Sequence, residues 1–141
     1  MADNGTASTG TISWTEIPAQ DLASAQTFYG TVFGWEFSTT SVGDGSKPEV
    51  ILFSKGPTHG SLVKVEKENH LSPAMHPDNP EKKRIAVRVT ITVKNVDETL
   101  ETVKKAGGAV YLPPREIGNN MGRIAYFTDS EKNVMGIWSA A

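Results

Sequence analysis

The 141-residue sequence predicts an α+β fold in which two βαβββ modules close into a cupped mixed sheet with both helices outside. Three observations carry this. The length suits one domain with a sizeable core and is short for two. A strand-like alternation, a stretch of helical spacing and three short strand-like runs follow one another twice along the chain. Sliding the second occurrence onto the first by 74 positions sets Leu22 on Val96, Tyr29 on Val103 and Gly34 on Gly108, so the helix stripes superimpose. One such unit leaves a sheet face uncovered. Two units bury their inner faces by closing on each other, which leaves a cavity between them.

Residues 1–10 are rich in Gly, Ser, Thr and Asn and are expected to form a flexible tail, with a single domain over 11–139. The first module covers about 11–65. Residues 12–18 alternate as a strand, and Asp21 is placed to cap a helix over 21–33 whose stripe is Leu22, Ala25, Tyr29 and Val32. Gly34 follows where a left-handed residue ends a helix. Strand-like runs at 35–39, 49–54 and 59–65 are separated by turn signals at 42–46 and 55–58. A polar, proline-bearing stretch, 66–83, reads as the linker. The second module, about 84–139, opens with a strand over 84–93, and Asn95 caps a helix whose stripe is Val96, Leu100 and Val103, ended by Gly107 and Gly108. Strands at 109–112, 122–128 and 133–139 complete it.

Composition narrows the function classes. A formal charge of -2 provides no electrostatic footprint for nucleic acid. With no cysteine, disulfides, thiolate metal sites and a cysteine nucleophile are excluded. Neither a signal peptide nor a membrane span is evident, so the expected location is the cytoplasm.

The segment 14–35, WTEIPAQDLASAQTFYGTVFGW, resembles the opening strand and helix of vicinal-oxygen-chelate proteins, the glyoxalase, bleomycin-resistance and dioxygenase superfamily. Leu112-Pro113-Pro114 and the run 122–138, GRIAYFTDSEKNVMGIW, resemble the end of the same domain. The resemblance implies paired βαβββ modules, frequently dimeric, around a cavity that binds small molecules or holds a divalent metal. It also implies metal ligands at inward positions of the first and fourth strands of each module. In this sequence those positions are Trp14, Arg88, Gly136 and either Ser61 or Leu62, none of which offers the imidazole or carboxylate that a divalent ion needs. No metal or other cofactor is therefore expected.

Side chains two apart on a strand share a face, so Trp14 brings Glu16 into the cup and Arg88 brings Thr90. Glu16 and Arg88 would then either bind a polar ligand or pair with each other and fill the cup. Glu16 is the candidate general base, and His59, which shares a strand face with Ser61, is a candidate acid/base or off-pattern metal ligand. Trp14, Trp138 and, if its face points inward, Phe53 are candidates for an aromatic wall, with core packing the alternative. His70 and His76 read as surface residues of the linker. The glycine-rich loop 117–122 is placed to cover the cavity mouth.

The expected function is a metal-independent small-molecule binding protein of the glyoxalase/bleomycin-resistance type, a homodimer that sequesters a ligand or acts on it at Glu16. Two alternatives remain open. One is a divalent-metal-dependent lyase, isomerase or dioxygenase with a non-standard site, and the other is a structural or partner-binding dimer with a filled cavity.

Overall fold

The computed structural model describes residues 8–38 and 49–141, so the turn expected at 42–46 and most of the expected tail lie outside the described residues. The first module runs β1 (Thr15–Ala19), α1 (Leu22–Phe33), β2 (Glu36–Ser38), β3 (Val50–Lys55) and β4 (Thr58–Lys64). The second runs β5 (Thr90–Thr92), α2 (Val96–Lys105), β6 (Ala109–Glu116), β7 (Arg123–Thr128) and β8 (Val134–Ser139). Each module contributes one four-stranded mixed sheet, ordered β1-β4-β3-β2 and β5-β8-β7-β6. In both, the first strand pairs in parallel with the fourth and the remaining pairs are antiparallel. The two-module α+β architecture is thus as the sequence predicts.

Local chemistry accounts for the helices. The Asp21 carboxylate accepts from Ser24 N at 3.1 Å, and Asn95 Oδ1 accepts from Glu98 N at 2.9 Å. Gly34, at φ 69°, closes α1 and donates its N–H to Gly30 O. α2 adds Asp97 and Glu98 to its first turn and Lys104 and Lys105 to its last, the polarity its dipole favours. Leu22, Ala25, Phe28 and Tyr29 of α1 and Val96, Leu100 and Val103 of α2 are buried in one core shared by the modules. Phe28 stacks on Phe127 across the module boundary, with ring centroids 6.0 Å apart.

Two expectations are corrected. The strand expected over 84–93 pairs only at Thr90–Thr92. Its parallel partner β8 begins at Val134, and the last backbone bond between them runs from Gly136 N to Val89 O, so nothing continues the ladder upstream. The stretch 66–83 carries 3₁₀ turns at Lys67–Asn69 and Pro73–Met75 and buries Asn79 and His70. His70, expected at the surface, is 5% exposed, since its two ring nitrogens are both taken up inside the protein.

Candidate functional site

A cleft of about 160 Å³ lies between β1 and the non-strand segment 84–89, where the free edges of the two modules come together. Pro18, Leu71, Pro73, Val87, Val89 and Met135 supply an apolar wall, and Leu71 and Val87 stay largely exposed at its mouth. Glu16 and Arg88 both line it. Glu16 is exposed on the strand face opposite the buried Ile17. Arg88 is half-buried, with its guanidinium carbon 4.4 Å from the centroid of the Tyr126 ring, a cation–π contact that fixes the plane of its donors. Among the described residues neither charge has an ion-pair or hydrogen-bond partner. Arg84, at the rim, is already held by Asp78 at 3.1 Å.

Space for Arg88 depends on Gly136. A Cβ there would lie 2.6 Å from Thr90 Oγ1 and 3.1 Å from the Tyr126 ring, so only glycine lets Thr90 and Tyr126 close over β8. The register also resolves the choice between Ser61 and Leu62. Glu16 opposes Ser61 as Thr90 opposes Gly136, while Leu62 is fully buried in the core.

A buried polar network reaches the cleft wall through Asn133. Asn133 lines it and donates through Nδ2 to Pro18 O at 2.9 Å and to Asp129 Oδ2 at 3.0 Å. Its Oδ1 must therefore accept from His70 Nε2 at 2.9 Å, which puts the His70 proton on Nε2 and leaves Nδ1 to accept from Gln20 Nε2 at 2.8 Å. Asp129 also accepts from Tyr29 Oη at 2.6 Å and from the N–H groups of Glu131 and Asn133. Burial pushes the Asp129 carboxyl above its ordinary value, against the pull of these hydrogen bonds. Burial, and then the neighbouring Asp129 charge, push the Tyr29 phenol well above its own. Glu131 ties in the start of α1, accepting from Gln20 N at 2.6 Å and Asp21 N at 3.2 Å. The network thus joins strand, helix and linker of the first module to the turn before β8.

The remaining residues expected in the site are dispersed. Trp14 donates through Nε1 to Ser61 Oγ at 3.2 Å and, with Phe53 and His59, lines a separate surface groove beside β2. Phe53 is 3% exposed and stacked on Trp35 at 4.2 Å, so it belongs to the core. Its ring lies over Gly60, where a Cβ would collide with it. Thr90 and Phe53 line a further pocket with Trp35 and Lys55. Trp138 is half-buried and donates through Nε1 to Met121 O at 2.7 Å, which anchors the loop 117–122, itself closed by a bond from Ile117 N to Gly122 O. These three aromatic side chains form no single wall. Sequence reasoning missed Tyr126, Asn133 and Leu71; alternation along β7 places Tyr126 beside Gly136, but no local signal marks the other two.

The donor set does not fit a divalent ion. Indole, guanidinium, hydroxyl and a bare glycine occupy the expected ligand positions, and among the described residues no three His, Asp or Glu side chains gather into a metal-sized cluster.

The sequence profile of the Glyoxalase/Bleomycin resistance protein/Dioxygenase superfamily matches residues 11–136. CFP32 of Mycobacterium tuberculosis is 29% identical over 131 residues, covering 93% of this chain and 46% of that protein. The chain thus spans about half the length of the first curated relatives it matches. A glyoxalase/bleomycin resistance protein/dioxygenase family enzyme from Burkholderia phytofirmans superposes with a TM-score of 0.67 at 18% identity, covering 92% of this chain and 98% of that one. The fosfomycin resistance protein FosX from Listeria monocytogenes, crystallised with Mn(II) and 1S,2S-dihydroxypropylphosphonic acid, gives 0.67 at 17% identity over 95% and 93%. At such identities these structures share the fold.

Proposed function

The chain belongs to the glyoxalase/bleomycin resistance protein/dioxygenase superfamily, and from that premise we propose that it is a metal-independent small-molecule binding protein whose ligand occupies the cleft between its modules. One observation carries this reading: an apolar-walled cleft at a module boundary presents two opposite charges, Glu16 and Arg88, that have no ion-pair or hydrogen-bond partner among the described residues. Arg88 holds and orients a polar group of the ligand, and Glu16 accepts a hydrogen bond from it or exchanges a proton with it. The protein either sequesters the ligand or acts on it by acid/base chemistry at Glu16. The cleft lies below the roughly 300–1,000 Å³ of pockets for drug-sized molecules, so the ligand is small.

The working unit is a homodimer in the cytoplasm. Ile12, Ile85 and Val87 are 89%, 67% and 96% exposed, apolar side chains that a second copy would cover. Among the described residues no helix is long and apolar enough to cross a membrane.

Metal content by mass spectrometry, after separate incubation with zinc, nickel, manganese and ferrous ions and removal of excess, is the first test. Near-zero metal is expected in all four. A stoichiometric ion lost in Glu16→Gln would overturn metal independence and favour a lyase, isomerase or dioxygenase. Ligand-observed NMR against planar and acidic small molecules then tests binding, and a screen without any hit points to a filled, structural dimer.

A further inference from the structure

We infer that the cleft selects a small aliphatic zwitterion, a molecule of the amino-acid class bearing one carboxylate and one ammonium group on an apolar body. The inference rests on the cleft being the ligand site and adds the ligand's chemical class. Its ground is the charge pattern. Glu16 and Arg88 line one cleft, carry opposite charges and have no ion-pair or hydrogen-bond partner among the described residues, whereas the third charge at the rim, Arg84, is bonded to Asp78.

A ligand that fills the cleft takes water from both unpaired charges. A simple carboxylate satisfies Arg88 but brings a second negative charge towards Glu16, and a simple amine satisfies Glu16 but brings a positive charge towards Arg88. In either case one protein charge is left desolvated and unpaired, which weakens binding. A zwitterion satisfies both and repels neither, so discrimination comes as much from the misplaced charge of the wrong ligand as from attraction to the right one.

Geometry supports the division of roles. Arg88 is pinned over Tyr126, so its planar donor fork is held ready for a carboxylate. Glu16, exposed on its strand, offers only acceptor oxygens, which suit an ammonium group. Pro18, Val89 and Met135, which line the same cleft, provide contact for a short or branched aliphatic chain, and the volume of about 160 Å³ limits the body to metabolite size.

The test is isothermal titration calorimetry at neutral pH with L-valine, 3-methylbutanoate and 2-methylpropylamine, which share an aliphatic body and differ in their charges. Valine is expected to bind at least about tenfold more tightly than either single-charge analogue, the factor expected for one charge-assisted hydrogen bond. Arg88→Met should reduce valine binding to the level of the amine, and Glu16→Gln should reduce it to the level of the carboxylate. Equal binding of valine and 3-methylbutanoate, or valine binding unchanged by Glu16→Gln, overturns the zwitterion assignment. So does the absence of binding by all three compounds. A hit from the planar and acidic screen alongside that absence removes only this inference and leaves the binding function standing.

Discussion

Asp129→Asn is the sharpest test of how the cleft is held together. The Asp129 side chain is 2% exposed and accepts four hydrogen bonds, two from backbone N–H groups through Oδ1 and two from Tyr29 Oη and Asn133 Nδ2 through Oδ2. An asparagine keeps the Oδ1 pair but presents an amide NH₂ where Oδ2 was. Tyr29 can rotate its hydroxyl to accept. Asn133 Nδ2 cannot, so donor faces donor in a buried site. Leaving the buried Asn133 donor unsatisfied costs about 1–3 kcal/mol and the weakened Tyr29 bond adds to it, for a net destabilisation of about 2–3 kcal/mol. For a chain of this length that lowers Tm by about 6–12 °C. The sign with pH follows from burial, which raises the folded-state pKa of Asp129. The stability this group contributes is full below its unfolded value of about 3.9 and is lost as pH rises through the raised folded value. The gap between wild type and Asp129→Asn, measured by urea unfolding across that range, is therefore widest at the acidic end and narrows towards neutral pH. A variant as stable as wild type, or a gap that widens with pH, would falsify the network's role and the claim that burial outweighs its hydrogen bonds.

Three further outcomes follow from the structure. Lys132 is exposed at φ 67°, a left-handed backbone that suits glycine, so Lys132→Gly should raise stability by about 1 kcal/mol, seen as a higher urea midpoint with an unchanged slope. Gly136→Ala forces a Cβ against Thr90 and Tyr126 and should cost about 1–3 kcal/mol. Because Tyr126 carries Arg88, the same variant should weaken ligand binding, and stability or binding at the wild-type level would contradict that packing. Finally, light scattering after size exclusion should give the dimer mass for wild type and the monomer mass for Val87→Glu; a dimer in both would move the interface away from this surface.

What could be read from the sequence was what neighbouring residues decide among themselves. The caps at Asp21 and Asn95, the left-handed stop at Gly34 and the buried stripe of α2 depend on side chains within a turn or two, and the structure places each as read. The repeat was legible because each module repeats the same local grammar. Strand faces were legible only as alternatives, since alternation divides a strand into two faces without saying which one is covered. Phe53 turned to the core because Gly60 opposite leaves room for its ring beneath Trp35. That the positions implied by the family resemblance carry no imidazole or carboxylate needed only residue identity and chemical type.

The sequence by itself determined two modules, their helices and which residue types stand where the family resemblance implies metal ligands. Only tertiary structure decided that residues 84–88 join no strand, that His70 is sealed between Gln20 and Asn133, and that Glu16 and Arg88 share a cleft without pairing. Backbone preferences act over a few residues, whereas pairing, burial and the meeting of charges depend on which surfaces the folded chain brings into contact. Glu16 and Arg88 are far apart in sequence, and their proximity follows from how the two module edges meet.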